Sequence, residues 1–206
     1  MKEKFSTSRL LAIMLCLELA SMSVSAIYYG EDWLTWIYRG VTVAIYCVWF
    51  QLGMNSGSYR LTAYFKVTAL FLILAGWLMS SNDVLYFFYE YFGKTLEDLQ
   101  VVISTLYWIR TAVTLVAVVL ECLSHGKIAP AIRKGWIAFL IAQLAWIVIG
   151  NLANRFAQAQ FELQLWDREM LEVYNGGVQI IDLVVQLFYL WLLFRTISAV
   201  KAKEKI

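Results

Sequence analysis

Residues 99 to 122 read LQVVISTLYWIRTAVTLVAVVLEC, an uninterrupted apolar run in which only Arg110 and Glu121 carry charge. At about 1.5 Å per residue a helix of this length reaches ~36 Å, enough to cross a hydrocarbon core of about 30 Å. Lipid cannot satisfy backbone N–H and C=O groups, so such a run must be a helix; no alternating barrel pattern competes with it. Outward from this stretch, comparable runs occur at 10 to 28, 34 to 53, 61 to 79, 136 to 154 and 174 to 195. Pro130, the single proline, falls in a connection and breaks none of them.

Composition agrees. Of 206 residues, 61% are hydrophobic and mean hydropathy is +0.65, well above a soluble domain's roughly half apolar content. The expected fold class is therefore all-α: a polytopic integral membrane helical bundle of six transmembrane helices. Spans and short connections use nearly the whole chain, so a single domain over 1–206 is expected. The basic start and the run leading to Val24-Ser25-Ala26 resemble a secretory signal, but Glu18 interrupts its apolar centre, so the run is expected to stay as a span.

Charge distribution orients the spans. With the N-terminus inside, the inner segments hold twelve cations: Lys2, Lys4, Arg9, Arg60, Lys66, Lys127, Arg133, Lys134, Arg195, Lys201, Lys203 and Lys205. The outer segments hold only Lys94, Arg155 and Arg168, together with ten acids from Glu31 to Glu172. This is the positive-inside bias, and it places both termini in the cytoplasm at the inner (plasma) membrane. A net charge of +2 argues against nucleic-acid binding, which leaves membrane lipid as the expected surroundings. Thr95-x-x-Asp98 reads as a capping box for the fourth span, and Tyr28, Tyr29, Trp33 and Trp36 would form an outer aromatic belt.

Two outer connections stand apart. Residues 84 to 92 include Tyr86 and Phe88 in an aromatic cluster, and residues 156 to 173 set Phe156, Ala159, Leu163, Trp166, Met170 and Val173 on one helical stripe. Both are expected to be interfacial segments on the outer leaflet, with Trp166, Tyr86 and Phe88 as partner-binding candidates.

Apart from Lys66 and Arg195, already counted with the inner segments, five charged residues fall within the runs: Glu18, Arg39, Arg110, Glu121 and Asp182. Each costs roughly 2.5–3.5 kcal/mol near the bilayer centre, so such groups face a partner, a cavity or a pathway. Depth matching pairs Arg39 with Asp182 and Arg110 with Glu18, and leaves Glu121 near the inner surface in contact with water. Gln186, with Gln51, Gln143, Asn151 and Gln179, adds hydrogen-bonding capacity. The expected ion or solute pathway is Arg39, Arg110, Glu18, Asp182 and Gln186.

Absences bound the chemistry. His125 is the only histidine, Cys16, Cys47 and Cys122 are scattered singly, and neither a phosphate-binding G-x-x-x-x-G-K-[ST] loop nor a T-V-G-Y-G filter is present. Neither an enzyme nor a cofactor or metal is expected. The leading expectation is a small transporter or channel subunit moving an ion or small solute, working as a homo-oligomer or within a larger membrane complex. The alternative is a non-transporting interaction protein, such as an accessory subunit, assembly factor or exclusion or immunity protein, acting through its acidic, aromatic outer segments.

Overall fold

The structure, a computed structural model, describes residues 6–27, 32–79, 87, 90 and 96–204. Tyr86, Phe88, Thr95 and most of the 84–92 cluster lie outside the described residues. Among the described residues the chain is all-helical, with no strand: α1 (Thr7–Ile27), α2 (Asp32–Asn55), α3 (Arg60–Met79), α4 (Leu96–Ile128), α5 (Arg133–Glu162) and α6 (Arg168–Glu204).

Five of the six, α1, α3, α4, α5 and α6, contain segments long and apolar enough to cross a membrane, which is compatible with a multi-pass membrane protein. The remaining helix, α2, is 24 residues long, which suffices in length. Its apolarity is diluted by Trp33, Trp36, Tyr38, Arg39, Tyr46 and Gln51. The longest helices outrun the runs that announced them. The 33 residues of α4 extend to ~50 Å and the 37 of α6 to ~55 Å, more than a bilayer core needs. The basic tail of the chain thus continues α6 as helix, with Lys201 and Lys203 in the last turn, where cations complement the helix dipole.

Residue contacts divide the chain into two units, Met1–Ser124 and His125–Ile206. In the first, α1 packs on α2 and α2 on α3. Ser6 caps α1, its Oγ accepting from Arg9 N at 3.3 Å. The chain reverses after α2 through a single 3-10 turn (Gly57–Tyr59), with Tyr59 N donating to Ser56 O at 3.0 Å. Here the packing is tightest. Trp49, Leu52, Tyr59 and Thr62 are fully buried, and Trp49 meets Tyr59 edge-on at 5.8 Å between ring centroids. Gly53 permits this approach, because a Cβ on it would collide with Ala63 Cβ and stand 3.5 Å from the Tyr59 carbonyl.

In the second unit, the end of α4 turns into α5 through Pro130–Ile132, and α5 packs against α6. His125 stacks on Trp136 at 4.3 Å, and Trp136 Nε1 donates to Thr196 Oγ1 of α6 at 3.0 Å. Lys203 Nζ donates to Ile128 O at 2.7 Å, capping a carbonyl at the end of α4. Away from these cores the helices carry exposed apolar side chains, among them Phe71, Val101, Ile141 and Ile180.

The 156–173 stretch differs from its sequence expectation. It is not one amphipathic helix: α5 continues to Glu162, a turn follows, and α6 starts at Arg168. Gln164 takes a left-handed φ of 56°, ending α5, and Asp167 restarts the chain as an N-cap whose Oδ1 accepts from Met170 N at 2.8 Å. An i,i+4 stripe drawn across this point has no continuous helix to lie on.

Candidate functional site

The most charged interior cluster of the described residues lies in the first unit and centres on Lys66. Lys66 stands on α3 one turn after Thr62, and Glu121 stands on α4 three residues before Ser124. Thr62 and Ser124 share a buried hydrogen bond of 2.8 Å, so the two helices meet twice in adjacent turns. The second meeting is ionic: Lys66 Nζ lies 2.6 Å from Glu121 Oε2, with side-chain exposures of 17% and 4%. The ammonium also lies over the Trp49 ring at 5.2 Å. Glu18 of α1 and Tyr46 of α2 are within its electrostatic reach. One lysine therefore pairs with a carboxylate on α4 and lies within electrostatic range of a second on α1.

A second feature lies toward the opposite end of the same unit. Arg39 of α2 is held over two indoles, Trp36 one turn earlier and Trp77 of α3, each 5.1 Å from its Cζ. With Val24, Ser25, Thr35, Tyr38 and Trp77 it lines a cavity of about 260 Å³ between α1, α2 and α3. Glu18 and Tyr46 fall between these features along α1 and α2. The unit thus carries a column of polar groups along its length: Arg39 and its cavity, then Tyr46 and Glu18, then Lys66 with Glu121.

Within the first unit, Arg110 and Glu18 do not form the pair expected from the sequence; Arg39 and Asp182 belong to different units. Arg110 stands over the Tyr107 ring at 5.2 Å, near Gly76 of α3, while Glu18 lies within electrostatic range of Lys66 and Glu121. Arg39 has its indoles, and Asp182 accepts from Trp146 Nε1 at 2.5 Å within the second unit. Glu121, expected at the water surface, is buried and paired. Depth along separate helices does not fix azimuth, and azimuth decided each partner. Gln186 is exposed.

Trp166 is half-buried, set edge-on to Phe156 at 5.9 Å and tilted against Tyr174 at 5.9 Å, and Tyr174 Oη donates to Asn154 Oδ1 at 2.8 Å. It therefore fills the α5–α6 turn, and the apolar groups left outermost there are Leu163, Leu165, Met170 and Val173. Lys66, Tyr46 and Trp49 were missed as site residues. The available signal was Lys66 itself, six positions beyond Arg60 and inside the apolar run 61 to 79, where a loop cation would not sit.

The class these features define is an all-helical protein with several helices compatible with membrane crossing. No protein-family model, curated protein or solved structure matches the chain.

Proposed function

We propose that the chain is a six-span protein of the inner membrane, with both termini cytoplasmic, acting as a small transporter or channel subunit for an ion or small solute. The observation that carries this reading is the polar column of the first unit, from the Arg39 cavity through Tyr46 and Glu18 to the Lys66–Glu121 pair. Ionisable groups in apolar helices are costly, and a series of them at successive depths is the usual mark of a route. Lys66, its partner Glu121 and the more distant Glu18 are together one cation short of neutrality when all three are ionised, so the site can accept a proton or another cation. As the sixth span, α2 is supported by its length and by the alternation of basic and acidic connections on its two sides. Exposed apolar faces such as Phe71, Ile141 and Ile180 suit a lipid solvent. A chain this small encloses little space alone, so we place it in a homo-oligomer or larger membrane complex.

The test uses purified full-length chain in liposomes carrying a potassium diffusion potential set by valinomycin, with dyes reporting protons and chloride and with benzenesulfonate as an organic-anion probe. Flux above that of empty liposomes, lost in the Lys66→Met/Glu121→Leu double variant, supports the route. Flux no greater than in empty liposomes for all three probes, from folded protein, removes it.

A second reading keeps one specific support. The α5–α6 turn, braced by Phe156, Trp166 and Tyr174, presents Leu163, Leu165, Met170 and Val173 to the outside. An interaction protein without transport activity would use this tip. Replacing these four with serine would then abolish partner capture while leaving any flux unchanged.

A further inference from the structure

The Arg39 cavity carries an inference about ligand class. A guanidinium has five N–H donors in a fixed plane and is the side chain best suited to paired anionic oxygens. Arg39 is held in place by ring contacts to Trp36 and Trp77, which attract its charge but accept no conventional hydrogen bond. Among the described residues no carboxylate or carbonyl accepts from it. A positioned cation therefore forms one wall of a cavity whose other walls are Val24 and the Trp77 indole, with hydroxyl-bearing Ser25, Thr35 and Tyr38 beside them. An arginine that only reached for interfacial water would need neither the second indole, from a different helix, nor a cavity. The volume of about 260 Å³ is just under the ~300 Å³ at which ordinary ligand pockets begin, so the occupant is small.

From this geometry we infer that the cavity between α1, α2 and α3 binds a small organic anion, a carboxylate, phosphate or sulfonate carried on a short apolar or aromatic body. The anionic oxygens meet Arg39 and the body lies against Trp77 and Val24. This deepens the transport reading by naming its solute class, and rests on that reading only for passage; binding stands by itself. The same anionic oxygens also occur on acidic lipid headgroups, so the source must be separated by experiment.

The full-length chain in phosphatidylcholine nanodiscs is titrated calorimetrically with benzenesulfonate and with its neutral isostere benzenesulfonamide. Saturable binding of the sulfonate alone is expected. Binding should weaken about tenfold or more in Arg39→Gln, as expected for loss of a charge-assisted contact, and only partly in Arg39→Lys, which keeps the charge without the fork. Ser25→Leu fills the cavity while leaving Arg39 and both indoles in place, and should abolish binding. Competition by added phosphatidylglycerol identifies a lipid headgroup as the native occupant, and its absence identifies a soluble anion; both support an anion site. Equal binding of sulfonate and sulfonamide, undiminished binding by monodisperse Arg39→Gln or Ser25→Leu, or no saturable binding by folded protein overturns the inference. Binding without flux would defeat only the transport reading, and flux without binding only this one.

Discussion

Lys66 and Glu121 form an ion pair of 2.6 Å between α3 and α4, with 17% and 4% of their side chains exposed. Removing one partner leaves the other as an uncompensated charge in an apolar setting, whereas removing both leaves shape to be filled. Lys66→Met or Glu121→Leu alone should each cost about 3–5 kcal/mol, while Lys66→Met/Glu121→Leu together should recover most of that loss. Unfolding of the four proteins in one detergent, treated as a double-mutant cycle, gives the coupling directly; strictly additive losses would contradict the pair.

Gly53 meets Ala63 where α2 crosses α3, with no room for another carbon between them. Gly53→Ala should lower stability by about 1–3 kcal/mol through overpacking. Ala63→Gly added to it should restore much of the loss by returning the space. Thermal melting of the single and double variants checks this, and a double variant no better than Gly53→Ala would show that the crossing is not limiting.

Thr196 accepts from Trp136 Nε1 at 3.0 Å and donates to Leu192 O at 2.9 Å, and both side chains are fully buried. Thr196→Val keeps the volume but strands the indole N–H, at a cost of about 1–3 kcal/mol. Thr196→Ser should be milder, since the acceptor remains. The comparison is read from chemical denaturation in micelles, and equal losses in the two variants would assign the effect to packing instead.

At the α5–α6 turn, Asp167→Ala removes the acceptor for Met170 N and should cost about 0.5–2 kcal/mol locally. Hydrogen exchange over residues 163–172 should quicken while Trp136 and its neighbours stay protected. Uniform quickening across the chain would mean the turn is coupled to the whole fold.

Topology is open to a direct check. With Cys16, Cys47 and Cys122 replaced by alanine, a single cysteine at Ser58 should react with impermeant maleimide only from the cytoplasmic side, and one at Gln164 only from outside. A further single cysteine at Ser6 should label from the same side as the one at Ser58; labelling of Ser6 and Ser58 from opposite sides would remove α2 as a span.

Much of the helical layout was legible in the sequence. The run 99 to 122 and its counterparts each lie within one of the six helices except at their ends, because apolar length is a local property. The run 10 to 28 ends one residue past α1. Helix ends were read less well: α4 and α6 continue well past their apolar cores, since hydrogen-bonded turns propagate through charged residues as readily as through apolar ones. The 156–173 stripe failed for a related reason. Periodicity cannot reveal that Gln164 turns left-handed and ends the helix.

By itself the sequence determined that this chain is built of apolar helices and that its basic and acidic connections alternate; both follow from residue type and spacing along one strand of chain. It could give depth but not azimuth. Only the tertiary structure decided that Lys66 meets Glu121, that Glu18 comes within electrostatic range of both, that Arg39 lies over two indoles and that Asp182 takes Trp146, because a partner depends on how each helix is rotated and on which neighbour it packs against.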